Sequence, residues 1–460
     1  MSYGAVIVFL LSTAALAQSS GPFIATAVGL GIRGFDGDGG SATAARLAFP
    51  AGIAFDKVGN LYVADSLNNR IRRVTPQGTI TTVAGSATSG FGGDGGPATS
   101  ARLAQPQAVA IDAAGNLFIA DTQNNRIRRV SITGTITTVV GSGVCSVTGP
   151  RGGYSGDGGP SSAAQISCPT GVAIDSSGNL FIADSQNNRI RKINSAGIIT
   201  TVAGSGDLNP TVGLGDGGPA VAARLRIPLG VTADRAGNLF IADSQNNRIR
   251  RVAVDGTINT IAGGDAGGSA SISYPRGVAV DELGNLYVAE DQSNYVRKVE
   301  PNGRVSILAG RGTSNFSGDG GVAISGELAQ PFAVAVDLDG RVYIADYSNH
   351  RVRVVSYASS ISTTGIVNAA SGIGGGVAPG EFLAIYGSGL GPASPLVANG
   401  VSQELATSSV TFNGVKAFMA FTSSGQINAI APYGIERSAT VDVQVEIGRA
   451  SCRERVCLAV

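Results

Sequence analysis

The sequence predicts an all-β protein: a six-bladed β-propeller closed by an N-terminal strand, followed by a small β-sandwich-like domain. Three observations lead to this fold class. The segment GNLYVADSLNNRIRRV, first seen at Gly59, returns five more times in recognisable form, which makes six copies. Each copy belongs to a unit with strand-like stretches separated by Gly, Asn and Asp. A single strand-like segment lies before the first unit, and the last unit lacks one strand, so the N-terminal segment can complete it. Repeated four-stranded units are the pattern of propeller blades.

The units open at prolines that lie 47 to 63 residues apart, namely Pro50, Pro106, Pro169, Pro228, Pro275 and Pro331. In the first unit the stretches GIAFD, LYVAD, RIRRV and TITTVAG alternate apolar and polar positions, and turn residues separate them. This pattern favours strands over helices. A linear solenoid is the alternative, but units this long and this rich in strands favour a closed ring.

The two ends of the repeat region predict how the ring closes. The last unit has the third-strand segment NHRVRVV but no copy of TITTVAG after it, while the segment FIATAVG begins at Phe23, before the first unit. We expect the N-terminal strand to join the last blade, with the seam between Ala25 and Arg353. Such pairing removes two strand edges that would otherwise be exposed.

The pattern NLYVAD followed by NNRI resembles the repeat of the NHL family, and the resemblance extends from about Phe23 to Tyr357. Every unit carries the pattern, and Glu290 and Tyr295 are its chief departures. The resemblance implies a six-bladed propeller over residues 22–357. It implies little about activity, because this fold hosts binding scaffolds and metal-dependent lyases alike.

A second recurring piece joins successive units, and FGGDGGPATSARLAQP at Phe91 is its fullest copy. Its copies carry the aspartates Asp38, Asp94, Asp157, Asp216, Asp265 and Asp319. Carboxylates and loop carbonyls are the ligands that Ca²⁺ prefers, so these loops are candidate calcium sites, and calcium is the one cofactor that the sequence suggests. The alternative is that each aspartate caps a turn before a short helix that starts at proline. One carboxylate per copy favours this structural role.

Acidic residues also end the second strand of every unit, at Asp65, Asp121, Asp184, Asp243, Glu290 and Asp346. Six of them could surround a cation on the propeller axis. The alternative is that each one accepts hydrogen bonds in its own hairpin or pairs with the arginine five residues later, as Asp65 would with Arg70. Buried arginines need nearby carboxylates. A feature present in all six units is better explained by folding than by one active site.

Positions that break the repeat are better candidates for a unique site. The fifth unit differs at Glu290, Asp291 and Tyr295, and the sixth at Tyr347 and His350. His350 is the only histidine, and we expect it to be a solvated loop residue. One histidine cannot build the several-histidine metal site of propeller lyases. We therefore predict no catalytic residues. The alternative is a calcium-dependent hydrolase or lyase, similar to the lactonase propellers, with its site on the axis.

Four aromatic residues in the loops, Phe91, Tyr154, Phe316 and Tyr347, are candidates for stacking against a ligand. They are equally candidates for loop anchors. Phe91 and Phe316 occupy the same position of the repeat, which favours anchoring for these two.

Composition and the N-terminus predict an exported protein. Charged residues make up 14% of the chain and the net charge is +1, which argues against a nucleic-acid partner. Residues 1–17 have the apolar run and the Ala15-Leu16-Ala17 ending of a signal peptide, and the run is too short to span a membrane. We expect a secreted protein, extracellular or periplasmic. In that compartment Cys145 and Cys168, which flank the longest loop between units, are expected to form a disulfide.

The composition changes after Tyr357. Residues 358–365 are a Ser/Thr/Gly-rich linker, and residues 366–446 alternate strand patterns with turns. Through VNAAS, VAPGE and INAIAPYG this part resembles the small immunoglobulin-like β-domain of secreted repeat proteins from soil bacteria. Residues 447–456 read IGRASCRERV, which is one translation frame of a common sequencing adapter. We therefore expect residues 447–460 to be an artefact and the β-domain to be truncated.

These features together predict a non-catalytic binding or structural scaffold. We expect a monomer that binds a protein or a polysaccharide through loops on one face of the ring, because loops on a rigid frame commonly carry function.

Overall fold

The computed structural model describes residues 21–145, 153–207, 213–264 and 271–356, together with strands between residues 360 and 459. Over the first four ranges the chain forms six antiparallel sheets. The first strands of successive sheets contact one another in a closed circuit, so the sheets are the blades of a ring. The six-bladed propeller predicted from the repeats is confirmed.

Five blades consist of four consecutive strands each, in the sheet order in which they occur along the chain. Blade 1 contains β2 Pro50–Phe55, β3 Leu61–Asp65, β4 Arg70–Val74 and β5 Ile80–Ala84. Blade 2 contains β6 Ala108–Ile111, β7 Leu117–Asp121, β8 Arg126–Val130 and β9 Ile136–Val140. Blade 3 contains β10 Pro169–Ile174, β11 Leu180–Asp184, β12 Arg189–Ile193 and β13 Ile199–Ala203. Blade 4 contains β14 Pro228–Ala233, β15 Leu239–Asp243, β16 Arg248–Val252 and β17 Ile258–Gly263. Blade 5 contains β18 Pro275–Val280, β19 Leu286–Glu290, β20 Tyr295–Val299 and β21 Val305–Ala309.

Blade 6 is closed by the N-terminus of the chain. Its strands are β23 Pro331–Val336, β24 Val342–Asp346 and β25 Arg351–Ser356, with β1 Phe23–Val28 and the short β22 Gly321–Val322 at the outer edge. Strand β1 pairs antiparallel with β25, and Thr26 lies opposite Arg353 while Ala25 lies opposite Val354. The predicted seam is therefore confirmed to within one residue.

The antiparallel strand order divides the loops between two faces. The first strand of each blade starts at the face where the preceding interblade loop arrives, and the loop between the second and third strands returns to that same face. We call it the loop face. The opposite, turn face carries the tight turns that follow the first and third strands, such as Asp56–Asn60 and Thr75–Thr79, which are closed by backbone hydrogen bonds of 3.1 and 2.9 Å.

Short 3-10 helices lie in both kinds of loop on the loop face. One series follows the second strand: Ser66–Asn68, Thr122–Asn124, Ser185–Asn187, Ser244–Asn246 and Tyr347–Asn349. The other lies between blades: Ala42–Ala44, Ala98–Ser100, Ser161–Ala163, Ala220–Ala222 and Ala323–Ser325. The predicted helix after the Gly-Asp-Gly-Gly segment is thus a single turn, and Pro97 precedes its first residue.

Apolar side chains fill the layers between neighbouring blades. Each interblade loop adds one buried residue to its layer, three positions before the opening proline: Leu47, Leu103, Ile166, Leu225, Ile272 and Leu328. The layer between blades 6 and 1 combines Val28 of β1 with Ile53 and Val63 of blade 1 and Val352 of blade 6. The closing strand is therefore part of the core.

The strands described between residues 360 and 459 form two further antiparallel sheets. Their strands are β26 Ser360–Asn368, β27 Phe382–Ser388, β28 Leu396–Ser402, β29 Ser408–Phe412, β30 Val415–Lys416, β31 Phe418–Thr422, β32 Gln426–Ile430, β33 Thr440–Ile447 and β34 Glu454–Ala459. Strand β26 starts inside the predicted linker 358–365, whose Ile and Thr residues favour strands. The immunoglobulin-like assignment and the foreign origin of residues 447–460 stay predictions.

The predicted signal peptide, residues 1–17, lies outside the described residues. Within the described part of the chain, no helix has the length and apolar character that a bilayer crossing requires.

Closure by β1 generates a stability prediction. Ile24 is fully buried between blades 5 and 6, whereas its neighbour Ala25 is exposed. We expect Ile24→Ala to lower the free energy of unfolding by about 2–5 kcal/mol, because it removes buried methyl groups and leaves a cavity. Ala25→Ser, one position away on the exposed side, should change it by less than about 0.5 kcal/mol. Chemical denaturation of the three proteins measures both values. Equal effects of the two substitutions would show that β1 is not part of the closed core.

Candidate functional site

The third strand of five blades carries an arginine with no exposed surface, at Arg72, Arg128, Arg191, Arg250 and Arg353. Each guanidinium lies between two aspartates. The inner aspartate ends the second strand of the same blade, at an N–O distance of 3.3 to 3.5 Å. The outer aspartate belongs to the Gly-Asp-Gly-Gly loop, at 2.5 to 2.7 Å. One buried cation thus connects the hairpin to the interblade loop in each of these blades.

The inner aspartates are buried, and each also accepts a backbone N–H of the interblade loop. For Asp65 the donor is Ala48 at 2.7 Å, and Asn68 adds an amide hydrogen bond at 2.8 Å. Burial raises the pKa of Asp65, Asp184 and Asp346 to about 6. Because their oxygens accept from groups of the surrounding protein, we interpret these carboxylates as structural rather than as ligands of an axial cation.

The predicted partner of Asp65 was wrong. It pairs with Arg72, seven residues later, and not with Arg70. Arg70 lies nearer the end of the strand, where its guanidinium covers the ring of Phe35 at 3.7 Å and donates to the carbonyl of Asn68. The deeper arginine takes the buried carboxylate because it has no solvent to stabilise its charge.

The outer aspartates are the residues for which the sequence suggested calcium: Asp38, Asp94, Asp157, Asp216 and Asp319. All five contact a buried arginine, and Asp265 lies outside the described residues. Asp94 in addition accepts the Thr138 hydroxyl at 2.6 Å. Among the residues that the structure describes, no three His, Cys, Asp or Glu side chains are grouped to hold a metal ion. This arrangement supports the structural role, and calcium binding stays a prediction to be tested.

Aromatic rings support the same arginines from the interblade loops. In four blades two arginines cover one ring, the nearer at 3.7 to 3.9 Å and the deeper at 4.7 to 4.9 Å, and the rings belong to Phe35, Phe91, Tyr154 and Phe316. The sequence favoured anchoring for Phe91 and Phe316, and it left anchoring and ligand stacking open for Tyr154. Their positions beneath cations support anchoring, because a cation over an aromatic face is favourable.

A hydrogen bond connects each blade to the next on the loop face. In each blade, the residue just before the third strand has a left-handed backbone conformation. Its side chain accepts a hydrogen bond from the backbone N–H of the residue just before the proline that opens the next blade. The acceptors are Asn69, Asn125, Asn188, Asn247, Asn294 and His350. His350 closes the ring by accepting from Phe49 at 3.3 Å through Nδ1. The expectation of a solvated loop histidine was wrong: its ring is half-buried against Phe49, and burial lowers its pKa.

The positions that differ most among blades meet at the axis on the loop face. The residue after the opening proline lines a cavity of about 80 Å³ on the axis in five blades, at Gln107, Thr170, Leu229, Arg276 and Phe332. In blades 3, 5 and 6 it contacts the residue fifteen positions later. Thr170 shares a 2.5 Å hydrogen bond with Ser185, Arg276 pairs with Asp291 at 3.1 Å, and Phe332 stacks on Tyr347 at 3.9 Å.

Blades 5, 6, 1 and 2 build what we call the axial cluster, which consists of Phe49, Gln107, Arg276, Asp291, Phe332 and Tyr347. The Arg276 guanidinium lies 3.2 Å from the centre of the Phe332 ring, and Nη2 is 3.3 Å from Gln107 Oε1 across the axis. Phe49 lies 4.8 Å from Tyr347 on the outer side. Asp291 is buried, and its Oδ1 has no hydrogen-bond partner. Burial raises the pKa of Asp291, while Arg276 opposes that rise.

The sequence singled out Asp291, Tyr347 and His350 as asymmetric, and the structure brings these three to one end of the axis. It missed Arg276 and Phe332. The available signal was the residue after each opening proline, which differs in all six units.

The other two asymmetric residues of blade 5 do not belong to the axial cluster. Glu290 is that blade's inner acid and pairs with Arg297 at 3.3 Å. The ring of Tyr295 lies 4.9 Å from the same guanidinium. Blade 5 therefore keeps the buried arginine with different neighbours.

A second cavity, of about 770 Å³, opens at the axis on the turn face. Its aspartates close their own turns: Asp56 accepts the backbone N–H of Asn60 and Asp281 that of Asn285, both at 2.8 Å. The aspartates that line this cavity are therefore engaged in local structure.

The structure joins Cys145 and Cys168 by a disulfide, with Cα atoms 5.0 Å apart. Cys168 precedes the opening proline of blade 3 and donates its N–H to Asn125. The bridge thus fixes the start of the long loop, whose residues 146–152 lie outside the described part, to the ring.

The role of the outer aspartates predicts a stability effect that does not depend on calcium. Asp94→Asn should lower the free energy of unfolding by about 1–3 kcal/mol, because it removes a charged partner of buried Arg128. The loss should be the same in excess calcium and in a chelator. Asp36→Asn, which breaks only the exposed pair with Arg46, should cost less than about 1 kcal/mol. A loss for Asp94→Asn that occurs only with calcium would instead identify the loop as a calcium site.

His350 predicts a pH dependence. Its pKa is lowered in the folded protein, so below pH 6.5 the unfolded chain takes up a proton that the native state does not, and stability falls as the pH decreases. His350→Asn restores the acceptor of the other five blades and removes this proton. We expect the unfolding free energy of wild type to fall more than that of the variant as the pH decreases from 7.5 to 5.5. The variant therefore gains stability relative to wild type over this range. A constant difference would mean that His350 keeps its ordinary pKa.

Comparison with known proteins places the propeller among relatives. A family model described as the teneurin NHL domain matches residues 33–91, 88–155, 151–214 and 266–356. Teneurin-1 of Mus musculus is 28% identical over 275 residues, which are 57% of this chain and 8% of the relative. Teneurin-4 of Mus musculus is 33% identical over 231 residues, which are 46% of this chain and 8% of the relative. The chain therefore spans less than a tenth of the length of these curated relatives.

Solved structures agree on the fold. A protein of unknown function from Bacteroides thetaiotaomicron has a TM-score of 0.52 at 17% identity, covering 73% of this chain and 76% of that one. An auxiliary nutrient binding protein from Bacteroides ovatus has a TM-score of 0.52 at 15% identity, covering 73% of this chain and 77% of that one. The family match extends over more than half of the chain and the six blades agree with it, and the chain thus belongs to the family of the teneurin NHL domain.

Proposed function

We propose that this chain is an exported binding scaffold whose partner, a protein or a polysaccharide, docks on the loop face over the axial cluster. The proposal rests on one observation. The side chains of the axial cluster differ from those at the same positions of other blades, and they do not take over a contact that repeats from blade to blade. Repeated charges such as Arg72 and Asp65 are engaged in folding, so they are poor candidates for a unique site. Loops and unrepeated residues on a rigid ring are where recognition is expected.

The chemistry of the axial cluster favours binding over catalysis. Arg276 and Asp291 neutralise each other, and His350 uses Nδ1 to accept a backbone N–H, so these groups are engaged. A calcium-dependent hydrolase or lyase would need oxygen ligands that converge on the axis. At the loop-face end, the described axis presents the cation Arg276 with Leu229 and Phe332 beside it, a donor set that does not fit Ca²⁺. At the turn-face end, the aspartates accept hydrogen bonds in their own turns, as Asp56 and Asp281 do.

Export and a monomeric state belong to the same proposal. The disulfide between Cys145 and Cys168 and the apolar segment at residues 5–17 support an oxidising compartment outside the cytoplasm. The strands β1 and β25 of one chain pair with each other, so closing the ring needs no second copy.

The test compares two matched surface variants of the full chain. Phe332→Leu with Tyr347→Ser replaces two axial residues by those found in blade 4, at Leu229 and Ser244. Leu283→Ser makes a change of similar size on the turn face, where blade 3 has Ser177. Binding is measured by surface plasmon resonance against polysaccharides, secreted proteins and a second copy of the chain.

We expect the axial variant to lose binding by about tenfold or more, which corresponds to about 1.4 kcal/mol, while the turn-face variant keeps it. Thermal unfolding confirms that both variants are folded. Loss of binding in the turn-face variant alone, or no binding to any member of the panel, would contradict the proposal.

A further inference from the structure

The cavity on the turn face has the size of a site for a small organic molecule. Its volume is about 770 Å³, and such sites commonly have roughly 300–1,000 Å³. The turns that follow the first strands of four adjacent blades, 4, 5, 6 and 1, line it. Each turn starts with an aspartate, and the next residue differs in all six blades. From blade 1 to blade 6 these residues are Lys57, Ala113, Ser176, Arg235, Glu282 and Leu338.

Apolar side chains form much of the cavity wall. Phe55, Val280 and Val336, each the last residue of a first strand, line the cavity and are half-buried. Tyr343 packs edge-on against the Phe55 ring, with ring centres 4.8 Å apart, and so holds that ring in place. Leu338 is 68% exposed beside this wall. Exposed apolar surface next to a cavity indicates an interaction site, because covering it removes it from water.

Blade 4 provides space and a hydrogen-bond acceptor together. Ala233 stands where the other five blades have Phe, Ile or Val, so the wall is cut back beside Asp234. Asp234 accepts two hydrogen bonds, both from Asn238, whereas Asp281 in blade 5 accepts four. An ionised carboxylate has about four acceptor positions. Asp234 therefore closes its turn and still has capacity for a donor in the cavity.

The charges around the cavity define the ligand's charge. Five acidic and two basic side chains line it. Arg235 pairs with Glu282 at 2.8 Å, and the aspartates keep their charge because their donors are mostly neutral turn groups, as at Asp56. Lys57 is exposed, and within the described part of the chain no carboxylate forms an ion pair with it. Blade 1 lies across the ring from blade 4, so a cation at Asp234 is attracted and a second cation would meet Lys57.

We propose that the turn-face cavity binds a small organic monocation, namely an amine with an apolar body. The ammonium group donates to Asp234 and lies near Glu282. The apolar body covers Phe55, Val336 and Leu338. Burial of the body supplies most of the affinity, and the carboxylates select the charge. This inference goes beyond the proposed function, because it concerns the opposite face of the ring and another class of ligand.

The test is isothermal titration calorimetry of the full chain with 3-phenylpropylamine. The alcohol 3-phenylpropanol and the acid 3-phenylpropionate carry the same apolar body with no charge and with a negative charge. We expect the amine to bind more tightly than the alcohol, and the acid not to bind. In the series butylamine, hexylamine and octylamine, affinity should rise by about twofold to fourfold per methylene group. Added salt should weaken the amine and not the alcohol.

Three variants change the cavity, and two matched controls change the same face outside it. Ala233→Ile introduces the residue of blades 2 and 3 and fills the space at the wall. Leu338→Ser removes exposed apolar surface, and Glu282→Gln removes a charge while keeping the shape. The controls are Ile132→Ser, at a position 73% exposed in blade 2, and Glu300→Gln in blade 5; neither residue lines the cavity.

We expect Ala233→Ile to weaken amine binding by about tenfold or more and Leu338→Ser by about threefold or more, with both controls unchanged. Glu282→Gln should weaken the amine by about threefold or more, because it also leaves Arg235 without its carboxylate, and should leave the alcohol unchanged. A merely structural role of Glu282 would weaken both ligands. Thermal unfolding shows which variants are folded, and the exposed Leu338 keeps the test valid if Ala233→Ile is not.

Three results would overturn the assignment. They are no binding of any amine up to about 10 mM, binding of the alcohol or the acid as tight as that of the amine, and losses in the controls equal to those in the cavity variants. Binding of a protein or polysaccharide to the loop face is measured separately by surface plasmon resonance. The amine site can therefore fail while the proposed function stands, and the proposed function can fail while the amine site stands.

Discussion

The architecture depends on a buried arginine held between two carboxylates, repeated in five blades. Arg72 has no exposed surface, and it contacts the end of its own hairpin through Asp65 and the interblade loop through Asp38. Because an unpaired buried charge costs several kcal/mol, neither carboxylate can move away without destabilising the blade. The arginine thereby sets the position of the interblade loop, and Phe35 covers its outer end. Loops held in this way form the face on which the axial cluster lies.

Residues that follow the repeat stabilise the fold, and some of the residues that depart from it form the candidate site. Blade 5 keeps the buried arginine although its acid is Glu290 and its flanking residue is Tyr295, so this departure preserves the fold by other means. The departures at Arg276, Asp291 and Tyr347 preserve no repeated contact. A departure that is compensated within its blade indicates a role in folding, and departures that preserve no repeated contact, such as Arg276 with Asp291, indicate a candidate site.

Sequence periodicity was sufficient to predict the blades, the strand ends and the seam at Ala25 and Arg353. Each of these follows from the alternation of apolar and polar residues and from turn residues along one stretch of chain. It was insufficient for the partner of Asp65, since Arg70 and Arg72 lie on the same side of the strand and only depth in the blade distinguishes them. It could not bring Gln107 to Arg276, which are 169 residues apart and meet only across the closed ring. His350 was misjudged because its contact with Phe49 also depends on closure.

Closure by the N-terminal strand has a consequence for how the chain comes to be folded. Strand β1 is synthesised first, yet its partner β25 follows more than 300 residues later, as the contact of Thr26 with Arg351 shows. Until that partner emerges, Phe23 and Ile24 belong to an apolar segment with unsatisfied backbone groups, which is the kind of segment that aggregates. Contacts this distant along the chain also slow folding. Delivery of the chain across a membrane in an extended state, with folding delayed until its end arrives, would suit this order of events.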